Sequence, residues 1–128
     1  MSKPNFLFIG AQKSATTSIS VMLSHHPDVF VVKGKEPHFF SENRQYARGW
    51  DWYISLFEGY NGETAIIDAS TSYSRAKAFP NTISRIIKDI PDVKILYAVR
   101  HPLDRMESAY VEWMSTPSFL LLNTSIND

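Results

Sequence analysis

The sequence contains no cysteine. That excludes disulfides, thiolate metal sites and cysteine nucleophiles, and leaves the compartment open. Long apolar runs are missing as well. The segment Met1-Ser2-Lys3-Pro4-Asn5 leads into four apolar residues, Phe6-Leu7-Phe8-Ile9, too few to span a bilayer or form a signal-peptide core. The expectation is a soluble, cytoplasmic protein with no membrane segment. Neither sign of charge is in excess, since 13 Lys and Arg balance 13 Asp and Glu. A nucleic-acid coat protein would carry a basic surplus, so no nucleic-acid partner is expected and any anion site must be local. Repeats and low-complexity stretches are absent too. What is present is ordinary globular composition, 44% hydrophobic and 20% charged over 128 residues, enough for one modest core and a single domain over 1–128.

Strands and helices alternate along the chain. Phe6 to Ile9 is an unbroken apolar run ending at Gly10, the pattern of a strand buried on both faces. Ala15 to Ser24 carries Ile19, Val21, Met22 and Leu23 near helical spacing, behind the capping residues Ser14, Thr16 and Thr17. Val29 to Val32 reads as a second strand and residues 33–49 as a polar loop. Trp50 to Phe57 reads as a short helix, Thr64 to Asp68 as a third strand, and Ser70 to Ala78 as irregular chain. Pro80 opens a helix to Asp89 with Ile83, Ile86, Ile87 and Ile90 on its inner side. A last strand, Val93 to Val99, leads through Arg100-His101-Pro102 into a helix to about Met114. Leu103, Met106, Tyr110 and Trp113 form that helix's apolar stripe. The order predicts a three-layer α/β/α fold with a mostly parallel sheet. Ligands bind such sheets beyond the strands' carboxyl ends, where residues 10–17, 68–73 and 100–108 converge.

Two of those segments carry phosphate chemistry. Gly10-Ala11-Gln12-Lys13-Ser14-Ala15-Thr16-Thr17 joins a strand to a helix, where backbone amides and the positive helix end make an anion seat. Lys13 adds a full charge and Ser14, Thr16 and Thr17 add hydroxyl donors. Helix capping explains the hydroxyls nearly as well. A Walker A loop needs a second glycine before its lysine, and none stands here, which weighs against a P-loop-type kinase. Arg100 closes a strand, where its fork can grip a phosphate, and Ser108 lies about two helical turns further on. An Arg100–Asp104 pair with an exposed serine is the competing account.

Taken together, in this order and separation, the two segments resemble the 5′-phosphosulfate loop and the 3′-phosphate motif of the sulfotransferases that use 3′-phosphoadenosine 5′-phosphosulfate (PAPS). The resemblance covers roughly residues 5 to 114. It is closest to the branch holding the heparan-sulfate sulfotransferases and their bacterial relatives, through Ser24-His25-His26-Pro27-Asp28-Val29, Lys35-Glu36-Pro37-His38-Phe39-Phe40 and Gly49-Trp50-Asp51-Trp52-Tyr53. It implies a P-loop NTPase-like sulfotransferase fold, with PAPS as donor, 3′-phosphoadenosine 5′-phosphate (PAP) as product and no metal. Gly10, Gln12, Lys13, Ser14, Ala15, Thr16 and Thr17 would cradle the 5′-phosphosulfate, and Arg100 and Ser108 would hold the 3′-phosphate. Lys13 would also stabilise charge on the leaving phosphate. Glu36 stands at the position of the general base, with His38 as the competing base or an acceptor-facing support.

Two departures from the family pattern matter. Ala15 replaces the usual glycine of the loop, which suits helical backbone but not a positive φ. Ala69, in Asp68-Ala69-Ser70-Thr71-Ser72-Tyr73, replaces a lysine of the heparan-sulfate enzymes, so the cation there is missing or comes from elsewhere. Asp68 would orient the site or cap the next loop. Trp50, Trp52, Tyr53, Phe39 and Phe40 read chiefly as packing residues. Family domains run longer than 128 residues, so the domain is expected to be incomplete at its C-terminus, with 115–128 an irregular tail. The acceptor would be a carbohydrate or small metabolite presenting a hydroxyl or amine. A non-catalytic module that binds PAPS or PAP is the alternative from another class.

Overall fold

The computed structural model describes residues 3–10, 16–33 and 36–115. Four short strands form one parallel sheet: β1 (Phe6–Phe8), β2 (Val29–Val31), β3 (Ala65–Ala69) and β4 (Lys94–Leu96), in the order β2-β3-β1-β4. Phe6 pairs with Ile67 and Lys94, and Phe30 with Ile66, so neighbouring residues across the ladder share a face. The chain runs to one side of β1 for β2 and β3, then crosses to the other side for β4. That reversal opens a crevice at the carboxyl ends of the strands.

Strand alternation divides the sheet into two faces. Leu7, Phe30, Ile66 and Asp68 point to one face, Phe8, Val31, Ile67 and Ala69 to the other. The first face carries the core. Leu7, Phe30 and Ile66 meet Phe39, Phe40, Tyr53, Ile54, Phe57, Tyr73 and Ile90, all buried. The ring of Tyr53, on α3 (Trp50–Ser55), stacks on Phe39 with centroids 4.3 Å apart and sits edge-on to Phe40 and Phe57. These aromatics therefore pack, as their spacing suggests, and each buries a large apolar area. The other face is met by α1 (Thr16–Ser24), which buries none of its residues completely.

Three helices depart from the sequence reading. Residues 43–46 of the expected loop form α2 (Asn43–Tyr46), too short to persist unaided. It is held from outside: the Arg85 guanidinium lies 4.3 Å over the Tyr46 ring and donates to Asn43 Oδ1 at 2.6 Å, while Tyr46 donates to Asp89 at 2.9 Å. In α4 (Thr82–Asp89) the inward ridge is Thr82, Ile86 and, just past its end, Ile90, spaced by four. Ile83 and Ile87 face solvent at 59% and 63% exposure, which corrects the wider apolar face expected for that helix. The stripe of α5 (Pro102–Met114) is also outward: Leu103, Met106, Tyr110 and Trp113 are all exposed. No residue of α5 is buried, and its half-buried positions are Ser108, Ala109 and Met114. β4 is shorter than the Val93 to Val99 expected, because ladder pairing stops at Leu96 apart from two extra bonds to the β1 end.

Candidate active site

The site begins where β1 ends. Gly10 adopts φ +143°, a region that side-chain-bearing residues rarely enter, so the chain can turn sharply out of the sheet. Its carbonyl accepts from the Ala98 N–H at 2.8 Å. That bond puts the start of the segment Gly10 to Thr17 beside the chain leading to Arg100. Gln12, Lys13, Ser14 and Ala15, all expected in the donor site, lie outside the described residues. Thr16 and Thr17 form the first turn of α1 and line a cleft of about 310 Å³ between α1 and the sheet. Glu36, Thr71, Ala69 and Lys33 line the same cleft. Arg100 is exposed in the irregular chain between β4 and α5, and Ser108 is half-buried on α5. The cleft thus unites Thr16, Thr17 and Glu36, while Arg100 and Ser108 are not among the residues that line it.

Glu36 is held on both oxygens. The Thr71 backbone N–H donates to Oε1 at 3.3 Å, and the Thr71 hydroxyl donates to Oε2 at 3.1 Å. His38 Nε2 lies 3.3 Å from the same Oε2. The Glu36 side chain remains 35% exposed, so its carboxylate still faces the cleft. The other ring nitrogen of His38, Nδ1, is 2.6 Å from Ser72 Oγ, which is 2.7 Å from Ser41 Oγ. Ser41 Oγ also lies 3.2 Å from the His38 carbonyl, and with its one proton on the shorter 2.7 Å contact to Ser72 the three contacts are satisfied together: Ser41 donates to Ser72, Ser72 to Nδ1, and Nε2–H to Glu36. Both nitrogens of His38 are then spent inside the protein.

His38 is also strained. Its φ of +52° is the one positive value among the described non-glycine residues and costs about 1–3 kcal/mol. Its backbone N–H donates to Ser70 Oγ at 3.1 Å. Ser70 in turn donates to Asp68 Oδ1 at 2.7 Å, while Tyr53 and Tyr73 donate to Oδ2 at 2.6 and 2.8 Å. Asp68 has no solvent exposure. Burial lifts its carboxyl above the ordinary value, with the three hydroxyls and the nearby His38 pulling the other way. Burial beside this carboxyl likewise pushes the Tyr53 and Tyr73 phenols well above their usual range, which keeps both as donors.

The sequence reading missed Thr71, Ser70, Ser72 and Ser41 as site residues. A signal was there, in the unbroken hydroxyl run Ser70-Thr71-Ser72-Tyr73 directly after a strand-end acid. Asp68 and Ala69 illustrate the pleat. Asp68 turns into the aromatic core, and its neighbour Ala69 turns into the cleft beside Glu36.

The family model described as sulfotransferase domain matches residues 3–124. The chain belongs to the sulfotransferase family. A solved sulfotransferase from Alicyclobacillus acidocaldarius superposes on this sulfotransferase chain with a TM-score of 0.75 at 36% identity, over 89% of this chain and 51% of that one. Human heparan sulfate glucosamine 3-O-sulfotransferase 6 is 34% identical over 93% of this chain and 34% of its own length. The membrane-associated sulfotransferase kil1 of Dictyostelium discoideum is 32% identical over 87% of this chain and 24% of its own. The sulfotransferase chain therefore spans about a quarter to a third of these curated relatives. The expected P-loop-like α/β fold is borne out by the solved neighbour. No helix among the described residues is long and apolar enough to cross a membrane.

Proposed function

We propose that this chain carries the donor-binding and base-bearing part of a PAPS-dependent sulfotransferase, with Glu36 as general base. The single observation that carries the assignment is the pairing at Glu36. His38 has both ring nitrogens engaged, while the Glu36 carboxylate is held on both oxygens and still opens to the cleft. Geometry is the first requirement on a base, and only Glu36 of this pair meets it.

The residues fit a phosphosulfate donor. The hydroxyls of Thr16 and Thr17, at the positive end of α1, line the cleft that holds Glu36. When bound, PAPS supplies a sulfuryl group on a phosphate leaving group. The acceptor hydroxyl or amine attacks sulfur, the bond between sulfur and the phosphate oxygen breaks, and that oxygen leaves with the electron pair on PAP. Glu36 takes the acceptor's proton as the new bond forms. Thr16, Thr17 and Lys13 stabilise charge growing on the phosphate, and Arg100 and Ser108 hold the 3′-phosphate. Thr71 and His38 fix the carboxylate so that little reorientation is needed during transfer. The acceptor is a carbohydrate or a small metabolite, in keeping with the heparan sulfate named for several relatives.

Calorimetric titration with PAP, against adenosine 5′-phosphate as control, tests the donor site. The expected result is binding that needs the 3′-phosphate and is lost in Lys13→Ala and Arg100→Ala. Equal affinity for both nucleotides would overturn the 3′-phosphate assignment. Tight PAP binding without turnover, in this chain and in longer versions of it, would leave a binding module in place of an enzyme.

A further inference from the structure

We propose that Asp68 is a positioning residue for the Glu36–His38 pair, acting through Ser70 and the His38 backbone. The proposal deepens the assignment of Glu36 as base and rests on it for its functional meaning. A hydroxyl has one proton to give. Ser70 spends its proton on Asp68 Oδ1, which leaves only lone pairs to face the His38 N–H. Asp68 therefore decides which way Ser70 points, and Ser70 holds the backbone of a residue in the left-handed region. Without that bond, His38 gains by relaxing to a negative φ, which swings its ring away from Glu36 and Ser72.

The hub is built to stay fixed. Oδ2 of Asp68 is clamped by two phenols, one on α3 and one on the 3₁₀ turn Thr71–Ser74, so the carboxyl cannot rotate about its own bond. The same turn bears Thr71, which holds Glu36, and Ser72, which holds His38. Segment 36–41 and segment 68–74 are thereby joined at Glu36, His38 and Ser41, and by a long contact of the Phe40 N–H with the Tyr73 hydroxyl. Asp68 anchors that seam from the core side, about as far from solvent as the fold allows.

The test is nitrogen-15 NMR of the whole chain, reading His38 amide exchange and the shifts of its two ring nitrogens. Ser70→Ala removes the link while leaving Asp68 its two phenols. It is expected to speed His38 amide exchange at least about tenfold, the loss of one hydrogen bond of ordinary worth. The ring shifts, distinct for Nδ1 and Nε2 when the tautomer is fixed, should move towards their average. Ser70→Thr keeps the hydroxyl and should restore both readouts. Asp68→Asn, where it folds, should resemble Ser70→Ala at His38. Ile90→Ala lowers stability at a buried position outside the hub and should leave the His38 signals in place. Unchanged His38 exchange in Ser70→Ala, or equal disturbance by Ile90→Ala, overturns the proposal. If Glu36→Gln keeps full sulfuryl transfer, the base assignment falls while the NMR result on Asp68 stands.

Discussion

The two walls of the site are built differently. The wall bearing Glu36 is knitted from buried hydroxyls, a buried carboxyl and a stacked aromatic layer. Arg100 and Ser108, proposed for the other wall, follow β4 and lie on α5, a stretch whose apolar side chains Ile95, Val99, Leu103 and Met106 face outward. The contrast teaches that, on the proposed assignment, the chemistry and the grip on the nucleotide would draw on separate sources of order. Glu36 is set by hydrogen bonds from Thr71 and His38, while Arg100 stands in exposed chain joined to β1 through the Gly10 carbonyl.

Variants can break that contrast or sharpen it. Glu36→Gln is expected to have the largest effect, lowering kcat by about 10²–10⁴-fold, as befits removal of a general base. PAP affinity measured by calorimetry should stay the same, whereas Arg100→Ala should weaken PAP and spare the base. Coupled losses would merge the two walls into one. Next comes stability, read by urea denaturation. Phe39→Ala, in the stacked layer, should cost about 3–5 kcal/mol. Met106→Ser, on the outward stripe, should change stability by less than about 0.5 kcal/mol. A similar cost at Met106 would show α5 to be packed after all.

The smallest effect is a slope with pH. A carboxyl raised by folding keeps its proton longer in the native state than in the unfolded one. Its contribution is therefore fullest below the ordinary value of 3.8 and declines as pH rises towards the folded value. Denaturation of the parent and of Asp68→Asn across that window should give a falling curve for the first and a flatter one for the second. Parallel curves would remove Asp68 as the source.

The alternation of strands and helices was legible in the sequence, because apolar runs before Gly10 and at Asp68 mark the ends of β1 and β3, although β4 stops at Leu96, four residues short of Arg100. Tyr53, Phe39 and Phe40 were legible as packing, and the motif brought Glu36 and His38 to notice as a pair, which the structure sets 3.3 Å apart. What could not be read was tertiary. Helix α2 exists because Arg85, some forty positions away, covers Tyr46. The orientation of α4 was misread because four isoleucines offered two overlapping ridges, and only contact with the core selects Thr82, Ile86 and Ile90. The roles of Thr71 and Ser72 depend on a 3₁₀ turn that brings them back to Glu36 and His38, and no local pattern records that return.

The pleat of β3 has a consequence for how this site can diversify. Adjacent codons, for Asp68 and Ala69, answer to different masters: one to the fold, the other to whatever occupies the cleft. Position 69 can therefore change its chemistry, to a lysine for example, without disturbing the hub one residue earlier. The lining of the cleft can drift at that point while the scaffold is inherited intact, and a designer who wants to reshape the cleft can start there.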